Sequence, residues 1–223
     1  MEPDNLLLDR YILAQTGRER PRVCFVPTAS GDSEDYVSRF YESFRQHACE
    51  AIHLPLFKAR FADLESFVLA QDVLYVGGGN TRNMLVLWRE WGLDAILRKA
   101  WRRGVILAGV SAGAVCWFEE GLTDSFNIDA PPRPLKCLGL LSGSCCPHYD
   151  GEADRRPTYR DLVATGQMSG GLALDDGAAV HFVDDDLQAA IASRPEARVY
   201  RVQMTDGGTA TETSLATTFL GRT

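Results

Sequence analysis

Strand-like and helix-like segments alternate along the first half of this chain, and this alternation restricts its possible folds more than any other feature. Short apolar runs typical of buried strands cover residues 22–27, 50–57, 72–80 and 105–110. Apolar residues recur at helical intervals in residues 5–17, 33–49, 61–71 and 81–104. Strands joined through helices form right-handed crossovers into a parallel sheet that is covered on both faces. We therefore predict a three-layer α/β fold with a mostly parallel sheet.

The pattern changes after about residue 170. Short β-like runs with turn residues between them follow at 170–183, 187–193, 197–204 and 211–220. They predict an antiparallel meander near the C-terminus, at one edge of the sheet. The stretch "DAPPRPLK" (residues 129–136) is rich in proline and predicts a surface loop. The 223 residues show no clear break, so we predict a single domain spanning residues 1–223.

Charge and cysteine usage limit the partners and the compartment. The net charge of −7 argues against nucleic acid and against an anionic membrane, because both require clustered Lys and Arg. The sequence contains neither a signal peptide nor an apolar run long enough to span a bilayer. None of the six cysteines forms a CxxC pair, and most lie in apolar runs, as reduced thiols do. These features predict a cytoplasmic, soluble protein.

The motif Gly109-Val110-Ser111-Ala112-Gly113 follows the fourth strand-like run and precedes a helix-like segment. This is the G-x-S-x-G pattern, in which small neighbours allow a strained turn to expose a nucleophilic hydroxyl. The following helix places a backbone N–H group beside the developing negative charge. A tight turn that merely needs small residues would give the same pattern. The position of the motif after a buried strand favours the catalytic interpretation.

A second turn, "YVGGGNT" (residues 75–81), ends another predicted strand. Parallel sheets bind ligands beyond the carboxyl ends of their strands, so this turn and the serine turn can face one crevice. The N–H groups of Gly78, Gly79 and Ala112 are candidates for an oxyanion hole, and Asn80 is a candidate for contact with substrate. The turn lacks the Lys-Ser/Thr of a P-loop and the G-x-G-x-x-G spacing, which argues against a nucleotide.

A hydroxyl nucleophile needs a base, and the chain has four histidines. His47 lies in a polar helix, while His53 and His181 lie in predicted strands, where a structural role is simplest. His148 lies in "CCPHYDGE", at the end of an apolar run and ahead of a polar loop. Catalytic groups are common at such strand ends, so His148 is the favoured base.

Four motifs in this order, "YVGGGNT", "GVSAGAVCWF", "PHYD" and "LALDDGAAV", resemble the peptidase E family of serine peptidases. The resemblance extends from "CFVPTASGD" to "VHFV" and implies a fold like that of the class I glutamine amidotransferases. It further implies that Ser111 is the nucleophile and His148 the general base. Gly78 or Gly79, together with Ala112, would form the oxyanion hole.

The resemblance leaves two candidates for the acid of a catalytic triad. Asp124 in "GLTDSF" matches a family acid after the nucleophile helix, and Asp176 in "LDDG" matches a second family carboxylate. Either could orient the imidazole of His148. We prefer Asp124 at this stage, because a triad acid must be buried beside its histidine. Asp175 and Asp176 could also simply form a turn before Gly177.

The family is similar to aspartyl dipeptidases, which use an arginine to hold the carboxylate of an N-terminal Asp. The segment "GEADRRPTYRDL" supplies Arg155, Arg156 and Arg160 after His148, and a guanidinium binds a carboxylate through two parallel bonds. We therefore expect a serine peptidase acting on small peptides, with N-terminal Asp dipeptides as the expected substrates, and without a metal or cofactor. The alternatives are a cyanophycinase-like hydrolase and a catalytically degenerate member that binds a small acidic ligand. Amidotransferase chemistry uses Cys where this chain has Ser111. The sequence is also compatible with a homodimer.

Overall fold

The computed structural model of the chain describes residues 2–58, 62–127 and 130–221. By its internal contacts the chain divides into two compact units, Met1–Ala114 and Val115–Thr223. The single domain predicted from the sequence stays a prediction. None of the described helices is long and apolar enough to cross a lipid bilayer.

The first unit is built on a parallel sheet of four strands in the order β2-β1-β3-β4. Its strands are β1 (Arg22–Val26), β2 (Glu50–His53), β3 (Val73–Val76) and β4 (Ile106–Gly109). Its helices are α1 (Leu7–Gln15), α2 (Glu34–Phe44), α3 (Leu64–Leu69), α4 (Thr81–Trp91), α5 (Leu93–Arg102) and α6 (Ala112–Val115). The mixed α/β fold with a parallel sheet and helices, as predicted from the alternating pattern, is confirmed.

The two central strands of this sheet, β1 and β3, are buried on both faces, which explains their nearly continuous apolar sequences. In β1, Val23 and Phe25 point to one face and the intervening Cys24 to the other, and all three are fully buried. The face of Val23 and Phe25 packs against apolar residues of α1 and α2. Strands buried on both faces read as unbroken apolar runs instead of alternating ones.

The helical run predicted for residues 81–104 is two helices. Gly92, in the left-handed conformation with φ 67°, ends α4 and begins α5. Glycine adopts this conformation without the steric penalty that a side chain brings. The helix after Ser111 is also shorter than the sequence indicates, because α6 has only four residues before the chain turns into a strand.

The second unit contains a mixed sheet of six strands, in the order β12-β11-β8-β7-β5-β6, and a sheet of three strands, in the order β13-β10-β9. The strands of the larger sheet are β5 (Phe118–Thr123), β6 (Arg133–Lys136), β7 (Leu141–Cys146), β8 (Gly171–Leu174), β11 (Val199–Met204) and β12 (Ala210–Ser214). Those of the smaller sheet are β9 (Ala178–Val183), β10 (Asp186–Ala192) and β13 (Thr217–Phe219).

The predicted meander is present as two antiparallel pairs that belong to different sheets. β9 pairs with β10, and β11 pairs with β12. β11 then continues the larger sheet by pairing with β8, whereas β13 pairs parallel to β10. A period-2 pattern predicts strands but does not specify partners, so the sequence could not separate the two sheets.

Two segments that the sequence assigns to loops form regular elements. Within "DAPPRPLK", Arg133–Lys136 is the edge strand β6, where Pro134 is tolerated because an edge strand leaves N–H positions unpaired; Asp129 lies outside the described residues. The arginine-rich segment after His148 contains helix α7 (Arg155–Ala164). Tyr159 and Val163 of α7 are buried against the six-stranded sheet, in one cluster with Val202.

Candidate active site

Ser111 occupies a sharp turn between β4 and α6, and its backbone is in the left-handed region with φ 54°. The two glycines of the motif make this turn possible. A Cβ on Gly109 would lie 2.2 Å from the carbonyl oxygen of Gly113, and a Cβ on Gly113 would lie 2.2 Å from that of Val76 in β3. Neither position has room for a side chain. This strand–turn–helix geometry is that of a nucleophile elbow.

The glycine turn after β3 lies directly against Ser111. A Cβ on Gly78 would be 3.2 Å from Cβ and 3.7 Å from Oγ of Ser111, so the backbone of Gly78 borders the hydroxyl. Gly79 has φ 133°, and a Cβ there would lie 2.3 Å from the carbonyl oxygen of Ala29. β3 and β4 are neighbours in the parallel sheet, so the two turns follow adjacent strands at the same edge of the sheet.

The candidates for the oxyanion hole differ in what their N–H groups already bind. The N–H of Gly78 donates to the hydroxyl of Tyr36, at 3.1 Å, which argues against Gly78 as a donor to substrate. Ala112 is the first residue of α6, where an N–H has no acceptor within the helix. In the described part of the chain, no hydrogen bond is recorded for the N–H of Gly79. Gly79 and Ala112 are therefore the stronger candidates.

Asn80 has a structural role in this turn. Its side-chain oxygen accepts the N–H of Asn83 at 2.8 Å and so caps the N-terminus of α4. Its own N–H donates to the carbonyl of Ala29 at 2.8 Å. Helix capping accounts for an Asn at this position, and the contacts give no support to the predicted role in substrate binding.

In the second unit, His148 follows β7 and also has a left-handed backbone, with φ 56°. Its Nδ1 lies 2.7 Å from Oδ1 of Asp176, in the turn after β8. The two side chains are 27% and 39% exposed, so the pair is reachable from solvent. An imidazole held at Nδ1 by a carboxylate presents Nε2 as the nitrogen that can accept a proton.

Asp176 is held in place by the loop that follows His148. The N–H of Asp176 donates to Oδ1 of Asp150 at 2.7 Å, and the N–H of Tyr149 donates to the carbonyl of Leu174 at 3.0 Å. Gly151 packs so closely on the carboxylate that a Cβ there would be 2.3 Å from Oδ2 of Asp176. Asp150 and Gly151 were not among the residues predicted from the sequence. Their only local signal is the "DG" dipeptide, which marks a turn.

Asp124 contacts a different partner. Its Oδ1 lies 3.7 Å from a guanidinium nitrogen of Arg155, and its side chain is 48% exposed. The contact of Asp176 with His148 therefore reverses the preference for Asp124 that the sequence suggested, and it favours Asp176 as the acid. Asp124 was preferred because a triad acid is expected to be buried, and its half-exposed side chain does not meet this expectation. Asp175 is the more buried member of the acidic pair, and its Oδ2 accepts the N–H of Arg198 at 3.0 Å.

The guanidinium of Arg155 is buried, at 4% exposure, and is bound within the protein. Its Nε donates to Glu152 at 2.6 Å, and another of its nitrogens donates to the carbonyl of Leu122 at 2.8 Å. The bond to Leu122 joins α7 to β5. Both bonds argue against the predicted contact between Arg155 and a substrate carboxylate.

Arg156 is also held by internal partners. Its guanidinium binds the carboxylate of Glu212 and lies 5.2 Å from the ring centroids of both Tyr149 and Tyr200. The hydrogen bond with Glu212 raises the pKa of Arg156. Its charge is thus already neutralised by a carboxylate, which argues against Arg156 as the substrate anchor. Arg160, the third predicted arginine, is exposed on α7.

The remaining candidate nucleophiles and bases occupy structural positions. His53 accepts or donates a hydrogen bond at Nδ1 with the hydroxyl of Tyr41, at 2.8 Å. Burial lowers the pKa of His47. Cys116 is fully buried, and burial raises the pKa of its thiol well above the ordinary value, which leaves it as an unreactive thiol.

The fold and the serine turn define the class of this protein: an α/β protein whose serine turn has the geometry of a nucleophile elbow. Comparison with known proteins gives the family. The sequence model of peptidase family S51 matches residues 1–190, and the chain belongs to this family. It is therefore a peptidase.

Two similar sequences agree with this assignment, and one solved structure shares the fold. An uncharacterized peptidase of Bacillus subtilis, YgaJ, is 59% identical over 206 residues, which cover 92% of this chain and 88% of the relative. Peptidase E of Streptomyces coelicolor is 30% identical over 129 residues, covering 57% of this chain and 51% of the relative. The crystal structure of a peptidase from an acI-B1 actinobacterium matches with a TM-score of 0.68 at 17% identity, covering 96% of this chain and 89% of that one. At that identity the match shows a common fold.

Proposed function

We propose that this peptidase is a serine peptidase in which Ser111 is the nucleophile, His148 the general base and Asp176 the acid. One observation carries the proposal: Ser111 stands at φ 54° in a turn whose flanking glycines cannot bear a side chain. The left-handed conformation costs a non-glycine residue about 1–2 kcal/mol, so glycine would be the more stable choice for a purely structural turn. A hydroxyl held there at that cost supports a chemical role.

In this mechanism the hydroxyl of Ser111 attacks the carbonyl carbon of the peptide bond while Nε2 of His148 takes its proton. Asp176, which accepts the Nδ1–H of the imidazole, fixes the tautomer and stabilises the imidazolium. The proton then passes to the leaving amine, and the C–N bond breaks. Water hydrolyses the acyl-enzyme with the same base. The N–H groups of Gly79 and Ala112 are the proposed donors to the oxyanion.

We propose small peptides as the substrates, with N-terminal Asp as the preferred first residue. The resemblance to aspartyl dipeptidases supports this specificity. Since Arg155 and Arg156 are bound to internal carboxylates, Arg160 is the remaining candidate, among the three predicted arginines, for holding the substrate carboxylate.

A fluorophosphonate probe and a dipeptide assay test the mechanism together. We expect the probe to label the wild-type protein at Ser111, and we expect Ser111→Ala to abolish both labelling and hydrolysis while the protein stays folded. Ser38→Ala is the matched control, because Ser38 is an exposed serine on α2. Wild-type turnover by Ser111→Ala would show that another group is the nucleophile.

A pair of dipeptide series tests the specificity. Peptides beginning with Asp are compared with the same peptides beginning with Asn, which differ only in charge. We expect higher kcat/KM for Asp, and we expect Arg160→Met to reduce this preference without reducing probe labelling at Ser111. Equal kcat/KM for the two series in the wild-type protein would refute the aspartyl specificity and leave the serine mechanism standing.

A further inference from the structure

Tyr36 lies in the first turn of α2, and its ring is fixed by packing within the first unit. The ring meets Phe25 of β1 edge-on, with centroids 5.1 Å apart and planes at 71°. The guanidinium of Arg39 lies 5.0 Å from the centroid of the Tyr36 ring. Both contacts involve the ring and not the hydroxyl, so they fix the position of the hydroxyl oxygen and leave the hydroxyl itself available for hydrogen bonds.

The hydroxyl of Tyr36 reaches the glycine turn beside the nucleophile. It accepts the N–H of Gly78 at 3.1 Å. The neighbouring Gly77 allows this approach, because a Cβ there would lie 3.1 Å from Cε1 of Tyr36 and 3.0 Å from the ring of Phe25. Gly78 itself borders Ser111, as its Cβ position is 3.7 Å from Oγ. Gly78 therefore donates its N–H to the Tyr36 hydroxyl and also borders the serine hydroxyl.

A tyrosine hydroxyl has one hydrogen to donate and two lone pairs to accept. In the described part of the chain, the recorded hydrogen bond of the Tyr36 hydroxyl is the one it accepts from Gly78. Its hydrogen is therefore not used by that bond. A hydrogen bond accepted by a hydroxyl also polarises it and strengthens it as a donor.

We propose that the hydroxyl of Tyr36 is a catalytic donor of the oxyanion hole. It donates a hydrogen bond to the carbonyl oxygen of the substrate as that oxygen becomes negative, together with the N–H groups of Gly79 and Ala112. The N–H of Gly78 acts indirectly by orienting and polarising this hydroxyl. Tyr36 keeps its proton throughout, and the proton of Ser111 passes to His148. This inference rests on the proposed serine mechanism.

The electrostatics around Tyr36 suit a donor that stays protonated. Burial raises the pKa of its phenol, and this outweighs the opposite effects of the Gly78 N–H and of the Arg39 guanidinium. A phenol with a raised pKa remains in the donor form through neutral and mildly alkaline pH. Its hydroxyl can therefore donate a hydrogen bond to the substrate at these pH values.

Tyr36→Phe tests the proposal because it removes the hydroxyl and keeps the ring. We expect kcat to fall by about 10²-fold, the loss typical of one oxyanion-hole donor, with KM changed by less than about threefold. A peptide aldehyde, which forms an oxyanion-like adduct with a serine, should lose affinity by a similar factor, whereas an uncleaved ground-state analogue should bind as before. Tyr41→Phe is the matched control, because Tyr41 lies on the same helix and its hydroxyl faces His53.

An unchanged kcat in Tyr36→Phe, or an equal loss for the aldehyde and the ground-state analogue, would overturn the proposal. A fluorinated tyrosine at position 36 covers the case in which Tyr36→Phe does not fold, since it keeps the acceptor for Gly78. Fluorination lowers the pKa of the phenol, so we expect a new loss of kcat at alkaline pH that wild-type protein lacks. The absence of this loss would equally refute the role of Tyr36.

The outcomes separate this inference from the mechanism on which it rests. Full hydrolysis by Ser111→Ala would refute the serine mechanism and the role of Tyr36 with it. Loss of hydrolysis in Ser111→Ala together with normal kcat in Tyr36→Phe would refute the role of Tyr36 alone.

Discussion

Gly151→Ala is expected to disable the enzyme although it replaces none of the proposed catalytic side chains. The new Cβ would lie 2.3 Å from Oδ2 and 3.1 Å from Cγ of Asp176. Non-bonded atoms need about 3.5 Å, so the carboxylate has to retreat by about 1 Å. The hydrogen bond from His148 to Asp176, now 2.7 Å, would stretch to about 3.5 Å or more and be lost as a directed contact.

The size of the effect follows from this displacement. A misplacement of about 1 Å costs roughly 10²-fold in rate, and complete loss of the orienting acid costs about 10⁴-fold. We therefore expect kcat/KM of Gly151→Ala to fall between these limits, with little change in the midpoint of thermal unfolding. The assay is dipeptide hydrolysis measured beside an unfolding curve for each variant.

Gly207→Ala is the matched control for the loss of backbone freedom. Gly207 also lies in a turn of the second unit, but the nearest atom to a Cβ there is the hydroxyl oxygen of Thr205 at 4.0 Å. This variant should keep wild-type kcat/KM. If Gly151→Ala keeps it as well while its fold is unchanged, the contact between Asp176 and His148 is not needed for turnover, and the assignment of the acid is wrong.

Three further predictions concern the acid, the buried arginine and the buried thiol. Asp176→Asn should reduce kcat by about 10³–10⁴-fold and Asp124→Asn by less than about threefold, and the reverse ranking in measured turnover would transfer the role to Asp124. Arg155→Met should lower the free energy of unfolding by about 2–3 kcal/mol, because it leaves the carbonyl of Leu122 and the carboxylate of Glu152 without their donor. Equal denaturation midpoints for the variant and the wild-type protein would contradict this prediction. Iodoacetamide at neutral pH should leave Cys116 unmodified by mass spectrometry, since burial raises the pKa of this thiol, and rapid alkylation of the folded protein would refute that account.

The parts of the fold that depend on local pattern could be predicted from the sequence. The two central strands of the first sheet, β1 and β3, are buried on both faces, so each appears as a nearly unbroken apolar run that ends in a turn. The serine motif is equally local, because Gly109, Ser111 and Gly113 shape one turn. Gly92, where α4 ends and α5 begins, can be seen in the sequence. An isolated glycine does not necessarily end a helix, so the break between the two helices could not be predicted from it.

The parts that depend on contacts between distant segments could not be predicted in this way. The choice between Asp124 and Asp176 depends on which carboxylate meets His148, and 28 residues separate the pair that does. The sequence of helix α7 indicates a loop because charged residues dominate it, and tertiary packing of Tyr159 and Val163 provides much of the stability of this helix. Tyr36 carried no local signal, since its contact with Gly78 joins residues 42 positions apart.

Backbone strain connects the two halves of the proposed mechanism. In the described part of the chain, four non-glycine residues have positive φ, and the proposed nucleophile and base, Ser111 and His148, are two of them. Each such residue costs on the order of 1–3 kcal/mol and persists only where its surroundings fix it. Ser111 is fixed by glycines that pack on β3, and His148 by a loop that bonds back to the turn of Asp176. The stability that the fold gives up at these two turns is what makes their side chains chemically useful. Each of the two residues lies in a turn just beyond the end of a strand, where the chain leaves the sheet.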